Sequence, residues 1–106
     1  MKKIFVFASM MLVLFTISSP LENVQSEEKW AKAADVLEEI LHDQLRRTDA
    51  MARYSRRQFL VITLDTDADG ILPLVDRIIE TFNAKIEDGS FTISFEIGKR
   101  ATERIN

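Results

Sequence analysis

The sequence of 106 residues contains no cysteine, which excludes disulfide bridges and thiolate metal sites. It also lacks internal repeats, low-complexity tracts and linker-like stretches, so its length predicts a single domain with one modest core. The formal net charge is −3, and a surface of that overall sign is not expected to attract nucleic acid. With 46% hydrophobic and 29% charged residues, the composition is that of a soluble globular protein rather than a disordered one.

An apolar run near the N-terminus has two interpretations. Lys2 and Lys3, followed by the apolar residues 4–17, have the order of a signal peptide, although the cleavage region at Ser18 is poor. The run is too short for a comfortable membrane helix. Residues 10–17 also fit a central strand, because a strand covered on both faces reads as a continuous apolar run. The strand is favoured because two amphipathic helices later in the chain need a sheet on which to pack.

Two segments predict amphipathic helices. Ser26 followed by two acidic residues is typical of a helix start, and apolar residues at three- and four-residue spacing continue to about Arg46. We expect Trp30 to be the first core anchor of this helix and not a stacking platform. Apolar residues at the same spacing over residues 71–82 predict the second helix, in which Pro73 is tolerable only in the first turn.

The remaining segments predict strands. Residues 50–54 and 58–64 are extended runs on either side of a short polar turn, and they predict a β-hairpin whose turn lacks glycine. Residues 91–97, which follow an Asp-Gly turn, predict the last strand. With residues 10–17 as the first strand, the order is β-α-β-β-α-β. This order predicts an α+β fold in which two helices pack on one face of an antiparallel, ferredoxin-like sheet.

The segment from Arg46 onward resembles the region around the signature turn of GGDEF domains, the fold of diguanylate cyclases. In that family an Arg-x-x-Asp motif is followed by five residues, then by Gly-Gly-Asp/Glu-Glu-Phe and an apolar strand. Arg46 and Asp49 match the first motif. The resemblance is strongest over residues 34–98 and implies a nucleotide cyclase palm-like βαββαβ fold for the single domain 1–106. The signature position holds Ser55, Arg56, Arg57, Gln58 and Phe59.

The departures from the family pattern imply a degenerate domain that is not an enzyme. In active members the two glycines admit the nucleotide phosphates, and carboxylates in the turn and at the end of the first strand hold Mg²⁺. Here Ser55 and Arg56 replace the glycines, and Arg57, which cannot bind a cation, replaces the metal-binding carboxylate. Residues 16–20 contain no acid. We therefore expect no metal site, no cofactor and no catalysis; an active diguanylate cyclase is the less favoured alternative.

The Arg-x-x-Asp motif implies a ligand site. In the family it forms an inhibitory site for cyclic di-GMP with a further arginine from the helix after the hairpin, and the matching residues here are Arg46, Asp49 and Arg77. Guanidinium groups bind phosphate and the edge of guanine through paired hydrogen bonds. The alternative is that Arg46 and Asp49 pair with each other at a helix end. Five arginines against one acid over residues 46–58 also indicate an anionic ligand or, alternatively, a solvated charged face.

The preferred interpretation is a non-catalytic sensory, regulatory or interaction module of a bacterial signalling protein. We expect it to be cytoplasmic, with cyclic di-GMP and a protein partner or fused regulatory domain as partners, and without membrane contact unless residues 1–19 are an anchor or signal. A small secreted or membrane-anchored protein is the alternative. Asp65, Asp67 and Asp69 alternate as in a calcium loop, but the glutamate of its twelfth position is missing. We interpret them as turn and helix-capping residues.

Overall fold

The computed structural model describes residues 9–20, 25–64 and 66–101. No helix within these ranges has both the length and the apolarity needed to cross a membrane. The predicted α+β class and the βαββαβ order are confirmed. The elements are β1 (Ser9–Ser18), α1 (Glu27–Gln44), β2 (Ala50–Ser55), β3 (Gln58–Leu64), α2 (Ala68–Lys85) and β4 (Thr92–Ala101).

The apolar N-terminal run forms an interior strand, as predicted for residues 10–17. The sheet has the order β2-β3-β1-β4, and every neighbouring pair is antiparallel. Strand β1 is hydrogen-bonded along both edges, with Thr16 opposite Gln58 of β3 and Phe15 opposite Phe95 of β4. Residues 1–8, which carry the basic start of the alternative signal-peptide interpretation, lie outside the described residues.

The two faces of β1 have different environments because successive side chains of a strand point to opposite sides. The odd-numbered side chains from Met11 to Ile17 are buried beneath the helices and form the floor of the core, whereas Leu12 and Leu14 lie half-buried on the opposite face. Leu60 and Ile62 of β3 pair with Leu14 and Leu12 and share that second face. The buried residues of β1 are Met11, Val13, Phe15 and Ile17.

Helix α1 begins at the predicted cap. The Ser26 Oγ accepts a hydrogen bond from the Lys29 amide at 3.2 Å, which satisfies one of the unpaired donors at the helix N-terminus. Trp30 is buried in the first turn, and its ring meets that of Phe91 edge to face at 4.9 Å between centroids. Its expected role as a core anchor is therefore confirmed. The helix ends at Gln44, two residues before the predicted end.

Helix α2 begins three residues earlier than the apolar spacing indicated. Asp67 is the N-cap, and its Oδ1 accepts a hydrogen bond from the Gly70 amide at 2.9 Å, so that residues 68–70, which include no large apolar side chain, lie in the first turn. Pro73 consequently lies in the second turn and not in the first, which corrects the prediction. Because proline has no amide hydrogen, the Asp69 carbonyl loses its helical donor there. Asp65 lies outside the described residues.

The burial of β1 makes a prediction in which neighbouring positions serve as test and control. We expect Phe15→Ala to lower the free energy of unfolding by about 3–5 kcal/mol, because it leaves a cavity in the floor of the core. Leu14→Ala removes a half-buried side chain from the opposite face and should cost only about 1 kcal/mol. Urea denaturation of both variants measures the difference. Equal losses would contradict the assignment of the helix-covered face.

Candidate functional site

The arginine-rich segment does not form one patch. Arg46 and Arg47 precede β2, whereas Arg53 lies near the end of β2, and Arg56 and Arg57 form the hairpin turn. Since a strand rises about 3.3 Å per residue, the five steps of β2 from Ala50 to Ser55 span about 17 Å. The single basic patch expected from the sequence is therefore two groups at opposite ends of β2, and each is described separately below.

The signature-position turn lies against the end of β1. The Gln58 Nε2 donates a hydrogen bond to the Thr16 Oγ1 at 3.3 Å, and the Ile17 amide donates to the Arg57 carbonyl at 2.8 Å. On its other side Gln58 Oε1 accepts from the Ser55 Oγ at 2.9 Å. The turn and the end of the first strand, which the family resemblance pairs in a metal site, are thus neighbours in this structure.

The groups that meet at this point do not fit Mg²⁺, which takes oxygen ligands and is usually held by carboxylates. The side-chain oxygens of Thr16 and Gln58 are neutral, and the guanidinium of Arg57 has no acceptor that could bind a cation. Across the described ranges, no three His, Asp or Glu side chains converge in a group that could hold a metal ion. The local chemistry is that of a hydrogen-bonded amide and hydroxyl pair.

The arginines of the turn reach the first turn of α1 across a cleft of about 400 Å³. The Arg56 Nη1 lies 3.1 Å from the Glu27 Oε1, and the Arg57 guanidinium carbon lies 3.7 Å from the centroid of the Trp30 ring. Trp30 is therefore a stacking platform as well as a core anchor, which corrects half of the expectation for it. This contact was not predictable from the sequence, because Trp30 and Arg57 are distant along the chain.

The Arg-x-x-Asp motif folds into a tight turn that is closed by its own side chains. The Asp49 amide donates to the Arg46 carbonyl at 2.9 Å. The Asp49 carboxylate accepts from the Arg46 amide at 2.8 Å, from its Nε at 3.2 Å and from its Nη2 at 3.0 Å. The hydrogen bond to Asp49, and then the charge of Asp49, raise the pKa of the Arg46 guanidinium above its ordinary value.

The two members of this pair differ in exposure. The Asp49 side chain has 0% of its surface exposed, whereas that of Arg46 is 59% exposed. In this conformation Asp49 holds and orients Arg46, and a ligand that approaches the turn meets the guanidinium. The alternative stated from the sequence, that Arg46 and Asp49 pair with each other, describes the geometry observed here.

Two further contacts connect this turn to the second helix. The Arg46 Nη2 donates to the Thr66 Oγ1, which lies just before α2, at 2.9 Å. The Arg77 Nε on α2 donates to the Gln44 Oε1 at the end of α1 at 2.8 Å. Of the three predicted residues, Arg46 and Asp49 lie in the α1–β2 junction, and Arg77 is hydrogen-bonded to it through Gln44. Sequence reasoning missed Thr66 and Gln44, because they are 20 and 33 residues from their partners and belong to no motif.

Comparison with known proteins identifies the fold. No family model and no curated protein matches this sequence. The GGDEF domain of DgcB from Caulobacter crescentus, solved in complex with c-di-GMP, superposes on 88% of this chain with a TM-score of 0.72 at 12% sequence identity. This chain has the GGDEF-domain fold. It spans 60% of the length of that DgcB chain.

Two other solved structures agree with the GGDEF-domain fold. A DGC protein from Thermotoga maritima matches 92% of this chain and 66% of its own length, with a TM-score of 0.55 at 18% identity. PelD 156-455 from Pseudomonas aeruginosa PA14, solved in complex with c-di-GMP, matches 85% of this chain and 32% of its own length, with a TM-score of 0.55 at 16% identity.

The closed Arg-x-x-Asp turn predicts a measurable contribution to stability. Asp49→Ala removes a buried acceptor of three hydrogen bonds from Arg46, so we expect the free energy of unfolding to fall by about 1–3 kcal/mol. Arg47→Ala changes an exposed neighbour in the same turn and should stay within about 0.5 kcal/mol of wild type. Urea denaturation compares the two. An Asp49→Ala variant as stable as Arg47→Ala would show that the turn does not depend on this carboxylate.

Proposed function

We propose that this chain is a non-catalytic, GGDEF-like regulatory module of a bacterial signalling protein. The observation that supports it is the pairing of Gln58 with Thr16 at the junction of the signature-position hairpin and β1. An amide and a hydroxyl hydrogen-bond to each other at the place where the family resemblance requires carboxylates. Arg57, at the signature position of a metal-binding carboxylate, has no side-chain acceptor to offer a cation, and its guanidinium lies against Trp30.

The missing carboxylates weigh heavily against cyclase chemistry. Joining two GTP molecules requires attack on a phosphoryl group whose developing negative charge is neutralised largely by metal ions. Residues that cannot hold the metal also cannot position the attacking hydroxyl against the phosphate. Because such a module has no reaction of its own, we further propose that it acts in the cytoplasm by binding a ligand and a protein partner or fused domain.

The catalytic part of the proposal is tested with GTP and purified protein. We expect no conversion of GTP to cyclic di-GMP with either Mg²⁺ or Mn²⁺, because no carboxylate lies at the signature turn or the end of β1. Chromatographic separation of the nucleotides measures product, and an active diguanylate cyclase under the same conditions is the positive control. Product above the level of a protein-free blank would overturn the assignment.

For the ligand, we propose cyclic di-GMP bound at the α1–β2 junction through Arg46 and Arg77, with Asp49 as the residue that positions Arg46. Cyclic di-GMP carries two phosphates and two guanines, and guanidinium groups form paired hydrogen bonds with both. Asp49 and Gln44 already orient the two arginines, so little side-chain freedom remains to be lost on binding. A paired contact to Arg46 would use Nη1 and Nη2, with the ligand displacing the Thr66 hydroxyl from Nη2. The neighbours solved in complex with c-di-GMP support the choice of ligand.

Calorimetry on matched arginine variants tests the binding proposal. We expect Arg46→Ala to weaken binding of cyclic di-GMP by roughly ten- to a hundredfold, since loss of a paired hydrogen bond costs about 1–3 kcal/mol. Arg47→Ala removes the same charge from the adjacent position and should weaken binding less than about threefold, through loss of long-range attraction alone. Equal effects of the two variants would point to a diffuse charge effect. Binding unaffected by Arg46→Ala would exclude this site.

A further inference from the structure

The hairpin turn and the first turn of α1 are joined by four side chains, Arg56, Arg57, Glu27 and Trp30, which we call the arginine clasp. We propose that the arginine clasp is a conformational device that holds the hairpin turn against the first turn of α1 and covers the indole face at the cleft between them, with the contact of Arg57 on Trp30 as its main stabilising element. This inference goes beyond the proposed function, because it does not depend on binding of cyclic di-GMP or on the absence of catalysis.

The main contact covers one face of an indole ring. The Arg57 guanidinium lies 3.7 Å from the Trp30 centroid, a stacking distance for a planar cation on an aromatic face. The edge-to-face contact with Phe91 fixes the same ring from the core side. Only 7% of Trp30 stays exposed, and the Arg57 guanidinium and the Phe91 ring are two of the groups that cover it.

The position of Arg57 is set by its backbone. Its carbonyl accepts the 2.8 Å hydrogen bond from Ile17, which attaches the turn to the central strand. A turn fixed in this way carries the Arg57 side chain to the ring, so less conformational entropy is lost when the contact forms. The contact therefore joins three elements: the hairpin between β2 and β3, the end of β1 and the start of α1.

The second contact of the clasp is weaker. Arg56 and Glu27 are close, at 3.1 Å, but their side chains are 81% and 80% exposed. Exposed ion pairs contribute little, because water and salt screen the attraction and two long side chains must be ordered. The two arginines thus provide a matched pair, because they are adjacent, carry the same charge and lie in one turn. We expect only Arg57 to hold the hairpin turn against α1.

The clasp limits what the cleft accepts. The indole face and the carboxylates of Glu27 and Glu28 are the surfaces of the cleft that attract cations, and the chain's own guanidinium groups already contact the indole and Glu27. A ligand that takes the indole face must first displace Arg57 from Trp30 and so uncover the ring. The exposure of Trp30 consequently reports whether the clasp is open or closed.

Acrylamide quenching of fluorescence measures that exposure directly, because Trp30 is the only tryptophan in the sequence. In Arg57→Ala one face of the ring opens, so we expect the quenching constant to rise roughly twofold or more and Tm to fall by about 4–8 °C. Arg56→Ala should leave the quenching constant unchanged. Arg57→Lys keeps the cation without the planar stacking group and should lie between wild type and Arg57→Ala.

The outcomes separate the clasp from general loosening of the fold. Far-UV circular dichroism identifies a variant that fails to fold. If Arg57→Ala fails to fold, the quenching constants of Arg57→Lys and Arg56→Ala are compared instead. A quenching constant that rises in the Arg57 variant and not in Arg56→Ala supports the proposal. Equal constants in wild type and both variants, or equal rises in both variants, would overturn it.

Discussion

The double-sided pairing of strand β1 is the constraint on which the rest of this structure depends. It is hydrogen-bonded to β3 along one edge and to β4 along the other, so neither neighbour meets the other directly. Its alternate side chains, Val13 and Phe15 among them, form the floor on which both helices bury their apolar faces. Because antiparallel register fixes every opposite pair, the position of β1 also determines where the signature-position hairpin lies.

The register of β1 with β3 determines where the hairpin turn lies, whichever residues the turn carries. Thr16 of β1 pairs with Gln58 at the start of β3, which brings the end of the first strand to the hairpin turn regardless of what the turn carries. The packing energy lies in apolar residues such as Phe59 and Val61, and these are separate from the polar turn. Arginines in this turn are therefore compatible with an intact sheet, and both of them contact α1.

Much of the fold was predictable because its signals are local. The Ser26 cap, the limits of β3 and the apolar period of α1 follow from residues adjacent in sequence, and the structure reproduces them. The start of α2 was predicted too late, because the first turn after the Asp67 cap contains no large apolar residue before Ile71. The contact of Arg57 with Trp30 was beyond sequence reasoning, because it depends on how β1 and α1 are placed in space.

We propose that this GGDEF-domain fold has a turn that binds cyclic di-GMP at one end of β2 and a non-catalytic hairpin, held against α1, at the other. An amide-resolved NMR titration with cyclic di-GMP in the presence of Mg²⁺ tests both parts at once. Our account predicts chemical-shift changes at residues 44–49, at Thr66 and at Arg77, with residues 55–59 unchanged. Shift changes centred on residues 55–59, with the α1–β2 junction unaffected, would contradict it.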